Sequence, residues 1–161
     1  MAEQTTATEQ RVTSAHRIVV GVDGSAASIE ALHWAAVIGA AIGVQIDAVA
    51  AFEYPASYFG YSATSGALDA DHDVAQVLHD AVTKAYGDVK PDGLRLLAHA
   101  GHNPSKVLLD VSGEAEMLVV GGRAHGGFMG LPLGSVALAC AEHAVCPVVV
   151  VHAGHSPPRP T

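Results

Sequence analysis

The sequence predicts an α/β protein built on a doubly wound parallel sheet with helices on both faces. Three observations carry this. Five short runs of apolar, mostly β-branched residues recur along the chain; segments with helical spacing of apolar residues lie between them; and the two alternate strictly from the first run to the last. The 161 residues suit one domain. Half of them are apolar and 15% are charged, enough to form a core and too few charges for a disordered chain.

Residues 1–16 are rich in Thr, Ala and Gln/Glu, show no apolar period and are expected to be a disordered tail. The domain is expected over 17–153. Its first run is Ile18-Val19-Val20-Gly21-Val22. Ser25 can cap a helix running to about Ala41, with Ile29, Leu32 and Ala36 on one stripe. Ile46 to Phe52, broken only by Asp47, is the second run. The connection from Glu53 to Leu68 is long, aromatic-rich and contains glycine, which suits a flap or a partner surface. Asp69 or Asp71 can cap the next helix, with Val74, Val77, Leu78 and Ala81 facing inward. Leu94 to Ala98 is the third run, and Arg95 gives it the alternation of an edge strand. Asn103-Pro104 reads as an N-cap and first helical position. Met117-Leu118-Val119-Val120 is the fourth run, Gly134-Ser135 opens a helix to about His143, and Pro147 to Val151 is the fifth run. Residues 154–161 contain three prolines and are expected to be a second disordered tail.

Composition excludes several functions. Sixteen acidic residues against eight Lys+Arg give a formal charge of -8, which disfavours nucleic acid and anionic lipid alike. The most apolar stretch, Trp34 to Val44, is too short to span a membrane, and no export signal opens the chain, so a cytoplasmic location is expected. Cys140 and Cys146 form no CxxC and read as buried or half-buried thiols. His99 and His102 straddle Gly101 without a helix beneath them, which is poor metal geometry. Asp69, Asp71 and Asp73 imitate an EF-hand opening, but Val74 stands where the sharp turn needs glycine.

The strongest feature follows the fourth run. Between Gly121 and Ser135, glycine stands at 121, 122, 126, 127, 130 and 134, and Gly134-Ser135 begins a helix. Small residues let a backbone close around a ligand with its N–H groups inward, and a helix start adds free donors for an anion. Such a segment can cradle phosphate, or it can be a flexible loop with no ligand. No Walker lysine and no G-x-G-x-x-G appear. No G-x-S-x-G elbow exists, and no general base is placed beside the loop, so an enzymatic role is not indicated beyond slow ATP hydrolysis.

Three segments in order resemble the universal stress protein family: Ile18 to Ser25, its first strand; Val120 to Val136, its ATP loop of pattern G-x2-G-x9-G-[ST]; and Cys146 to Val151, its closing strand. The likeness covers roughly residues 17–152. It implies a five-stranded sheet of order 3-2-1-4-5, a homodimer paired through the last strand (Val148 to Val151), and a regulatory role in stress adaptation. It also implies an adenine nucleotide, ATP with or without Mg²⁺, or an adenylate such as cAMP or AMP. Gly21, Val22 and Asp23 would lie at the ribose and adenine side, and Ala51 would line the base. Gly121, Gly122, Arg123, Ala124, Gly126, Gly127, Phe128, Gly134, Ser135 and Val136 would surround the phosphates. The chain departs from the pattern at Ala124, where the second glycine belongs; a Cβ there costs on the order of 1 kcal/mol if the position needs a positive φ. A protein of the same fold that holds no nucleotide and a weak ATPase are the competing readings.

Overall fold

The computed structural model describes residues 16–53, 66–100, 102–123 and 133–158. Five parallel strands, β1 (Arg17–Gly21), β2 (Gln45–Phe52), β3 (Arg95–Ala100), β4 (Met117–Gly121) and β5 (Val148–Val151), form one sheet of order β3-β2-β1-β4-β5. The helices are α1 (Ala26–Ile42), α2 (Gly66–Tyr86), α3 (Pro104–Val111), which ends in a 3-10 turn at Ser112–Glu114, and α4 (Ser135–His143).

The first, second and fourth runs are central strands covered on both faces, while the fifth, though equally apolar, lies at an edge of the sheet. Ile18, Val20, Ile46, Ala48, Ala50 and Val119 point to the face where α1 contributes Ala31, Leu32 and Ala35, and α2 contributes Val74, Leu78, Ala81 and Val82. Val19, Val49, Leu118 and Val120 point to the other face, against Val107 and Leu108 of α3 and Ala137 and Cys140 of α4. The third run is an edge strand, as its alternation predicts.

Helix boundaries follow local chemistry. Ser25 caps α1, its hydroxyl accepting from the Ser28 N–H at 3.2 Å, and Gly43 ends the helix at φ 73°, where a side chain would be strained. Asn103 caps α3 through a 3.1 Å bond from the Lys106 N–H, with Pro104 behind it. The expected cap at Asp69 or Asp71 is corrected: α2 begins at Gly66. Asp69 and Asp71 are therefore positions inside the helix and not its caps. The proposed flap at 53–68 shortens accordingly, and residues 54–65 lie outside the described residues. So do residues 1–15 and 159–161 of the two expected tails. After β5 the chain turns, and the Trp34 Nε1–H donates to the His155 carbonyl at 2.6 Å.

One polar cluster sits at the N-terminal end of the sheet. Asp47, buried in β2, accepts from Arg17 Nε of β1 and from Arg95 Nε of β3 at 2.8 Å. Arg17 also donates to Gln45 Oε1 at 2.6 Å and to the carbonyls of Ile46 at 2.9 Å and Gly93 at 2.6 Å. The bond to Asp47 holds the Arg95 guanidinium more firmly protonated.

Candidate functional site

The strand order reverses between β1 and β4, the place where an open parallel sheet leaves a crevice beyond its strand ends. Ladder geometry opens that crevice here. β1 and β4 are registered only from Ile18 with Met117 to Val20 with Val119. Beyond that point each strand follows its outer neighbour. The Val22 N–H donates to the Val49 carbonyl at 2.8 Å, and the Gly122 N–H to the Val151 carbonyl at 2.8 Å. The chain ends Gly21-Val22-Asp23 and Gly121-Gly122-Arg123 thus part on either side of a cleft.

On the β1 side, Asp23 is half-buried, and its Oδ1 accepts from the Ser25 N–H at 2.9 Å. The capping role is Ser25's own, so Asp23 instead fixes the turn into α1. Among the described residues its Oδ2 accepts no hydrogen bond. Ser28 completes the turn, its hydroxyl accepting from the Asp23 N–H at 3.4 Å and donating to the Ser25 carbonyl at 3.0 Å.

On the β4 side, the Gly134 N–H donates to the Gly122 carbonyl at 2.6 Å and clasps the two ends of the glycine segment together. Gly134 is the N-cap of α4 and supplies no side-chain hydrogen bond, unlike Ser25 and Asn103 at the starts of α1 and α3. Among the described residues no side chain caps the first-turn N–H groups of Ser135, Val136 and Ala137, at a helix start where the dipole favours an anion. Ser135 is exposed, Val136 half-buried and Arg123 half-buried. Ala124, Gly126, Gly127 and Phe128 lie outside the described residues.

Several of the glycines have packing reasons that the sequence did not reveal. A Cβ on Gly21 would stand 2.9 Å from Leu108 Cδ1 of α3. One on Gly121 would stand 2.9 Å from the backbone of Ala27 and Ser28 in the first turn of α1, and one on Gly122 would meet the His152 ring at 2.8 Å. At Gly121 the neighbour is backbone, so close approach of α1 requires glycine whether or not a ligand is present; at Gly21 and Gly122 a side-chain end would have to move aside. Ala51 lies buried near the end of β2, on the face shared with Val107 and Leu108. Asn103 was read only as a cap, yet its Nδ2 also donates to Glu53 Oε1 at 3.1 Å and ties the β3–α3 turn to the end of β2. That contact spans fifty residues, so no local pattern announces it.

The thiols stand apart from this cleft. Cys140 is buried in α4 and Cys146 half-buried, both unpaired. Burial, with a smaller contribution from Cys146, pushes the Cys140 thiol up to about 11. Among the described residues no group of three or more His, Cys, Asp or Glu side chains could hold a metal ion, and no helix is long and apolar enough to cross a membrane.

Comparison with known proteins agrees with the architecture. A universal stress protein of Mycobacterium tuberculosis is 31% identical over 144 residues, which cover 85% of this chain and 48% of that protein, and one of Mycobacterium bovis matches equally. The chain thus spans about half the length of the curated relatives it matches. Among solved structures, the universal stress protein UspA from Lactobacillus plantarum superposes with a TM-score of 0.67 at 20% identity, over 84% of this chain and 97% of that one. A universal stress protein crystallised in complex with cAMP gives 0.65 at 24% identity, over 88% and 99%. The universal stress protein from Archaeoglobus fulgidus in complex with dAMP gives 0.50 at 20%, over 85% and 97%. The family description for universal stress proteins matches residues 14–152, the whole sheet with all four helices, and the chain belongs to the universal stress protein family.

Proposed function

We propose that this chain binds an adenine nucleotide, with ATP the favoured ligand, in the cleft between β1 and β4, and that it acts as a regulatory module in stress adaptation. The observation that carries the reading is the parting of β1 and β4 beside an α4 N-terminus that no described side chain caps. The first-turn N–H groups and the Ser135 hydroxyl are donors for phosphate oxygens, with Arg123 as the nearby cation. The Oδ2 of Asp23, across the cleft, is an acceptor for ribose hydroxyls. Ala51 contributes a small side chain where a flat base needs room. Mg²⁺, in this reading, arrives on the phosphates of ATP. Two solved relatives described as complexes with cAMP and dAMP support an adenylate as the ligand class.

Among the described residues no general base stands at the phosphates, and the reading favours binding, with at most slow hydrolysis, over turnover. A homodimer through the open edge of β5, Val148–Val151, and a cytoplasmic location belong to the same proposal. The test is direct. Denature the purified protein, identify any released nucleotide, and titrate the emptied, refolded chain with ATP, AMP and cAMP by calorimetry. The expected result is saturable heat with at least one adenylate, lost in Gly134→Val and reduced in Asp23→Ala. An empty chain that gives no heat with any of the three favours the nucleotide-free interaction protein, to which Ala124 in the glycine pattern already points.

A further inference from the structure

The row of residues at the top of the sheet continues past Ala51 onto β3, where the nucleotide reading assigns nothing. Ala51 is the register partner of His99, so both side chains leave the sheet on the same face. The His99 ring is half-buried, and neither of its nitrogens makes a hydrogen bond among the described residues. It meets the ring of His102 edge-on, with centroids 6.4 Å apart and planes at 81°. The turn that carries His102 is latched in place by the neighbouring Asn103, which caps α3 with Oδ1 and donates to Glu53 with Nδ2. The sheet order puts this ring pair on the side of Ala51 away from β1 and Asp23. A small buried residue is therefore flanked by a carboxylate on one side and a braced aromatic plane on the other.

We propose that His99, backed by His102, forms the outer wall of the base subsite, its imidazole stacking on the purine of the bound nucleotide. The inference rests on the nucleotide reading above and adds a residue that selects for a planar base. Stacking needs a flat π surface that cannot swing away, and the edge-on His102 ring supplies the brace. Among the described residues His99 makes no hydrogen bond that would compete with this contact.

The experiment is calorimetry on the full chain with ATP and, as a base-free probe, inorganic tripolyphosphate. His99→Ala is expected to weaken ATP by at least about fivefold, the low end of one base–aromatic stack, while tripolyphosphate binds as before. His99→Phe keeps the plane and is expected to hold ATP at the parent affinity. His99→Gln, of similar size without the ring, is expected to lose it like alanine and carries the test if the alanine variant does not fold. Unchanged ATP affinity in the alanine and glutamine variants overturns the inference. Parallel losses for ATP and tripolyphosphate also overturn it, since a stack on the base cannot act on a ligand without one. A parent chain that takes up tripolyphosphate but no adenylate refutes the nucleotide reading itself, and the wall with it.

Discussion

Replacing Asp47 with alanine tests what holds the N-terminal end of the sheet. The Asp47 side chain is 4% exposed and that of Arg17 6%, whereas Arg95 is 43% exposed. In Asp47→Ala, Arg17 keeps its bonds to Gln45, Ile46 and Gly93 but loses its counter-charge. An uncompensated buried charge costs about 3–5 kcal/mol. That is a large share of the 5–15 kcal/mol by which domains of roughly this size are stable. At about 2–4 °C per kcal/mol for a chain of this length, the melting temperature should fall by roughly 6–20 °C. Arg95→Ala removes a partner in contact with water and should cost only about 0–1 kcal/mol. Replacing Arg17 and Asp47 together with apolar residues of similar volume should be near neutral. Urea denaturation and thermal melts followed by circular dichroism measure all three. An Asp47→Ala loss below about 1 kcal/mol, or an Arg95→Ala loss equal to it, would refute the assignment of Asp47 as the counter-ion of a buried guanidinium. Nucleotide affinity should not change in Arg95→Ala, because the ladder end at Arg17 is roughly 13 Å along β1 from Gly21.

Three further perturbations probe the cleft and the thiols. Gly121→Ala places a methyl 2.9 Å from the Ala27 and Ser28 backbone and should cost about 1–3 kcal/mol as α1 is pushed off the sheet, with nucleotide binding weakened alongside; thermal melts and calorimetry read both, and a variant with parent stability would mean that α1 yields freely. Iodoacetamide at pH 8 should modify the half-buried Cys146 before the buried Cys140, as read by peptide mass spectrometry. Because the folded Cys140 thiol is raised to about 11, above the about 8.5 of an unfolded cysteine, its contribution to stability is complete below the unfolded value and is lost as pH climbs through the folded one. Cys140→Ala should therefore flatten the alkaline arm of the stability profile, and an unchanged arm would exclude Cys140 as its source.

The central strands were legible because burial on both faces writes itself as uninterrupted apolar sequence, as in Ile18 to Val20 and Leu118 to Val120. One edge, β3, was legible for the opposite reason, because Arg95 broke the run; the other, β5, was not, its four valines reading like a central strand. Caps at Ser25 and Asn103 are local chemistry and could be read locally. The start of α2 could not, since the acidic residues that suit an N-cap also suit the first turns of a helix begun earlier, at Gly66. Asp47 looked like a mere interruption of a run. Its partners are 30 and 48 residues away, and only strand register brings the three together. The cleft was foreshadowed by Asp23, Gly121 and Gly134-Ser135 at successive element ends. What sequence could not separate is why a glycine is a glycine. Gly21, Gly121 and Gly122 yield space to Leu108, α1 and His152, contacts made between elements distant in the chain.

The short bond between Gly134 and Gly122 also makes the segment they bracket an interchangeable insert. With the stem joined by a main-chain bond, a change in the length of the intervening segment costs little: doubling it adds only about 0.6 kcal/mol of closure entropy. Variation within that stretch leaves the clasp itself in place, because the donor is the Gly134 N–H and the acceptor the Gly122 carbonyl.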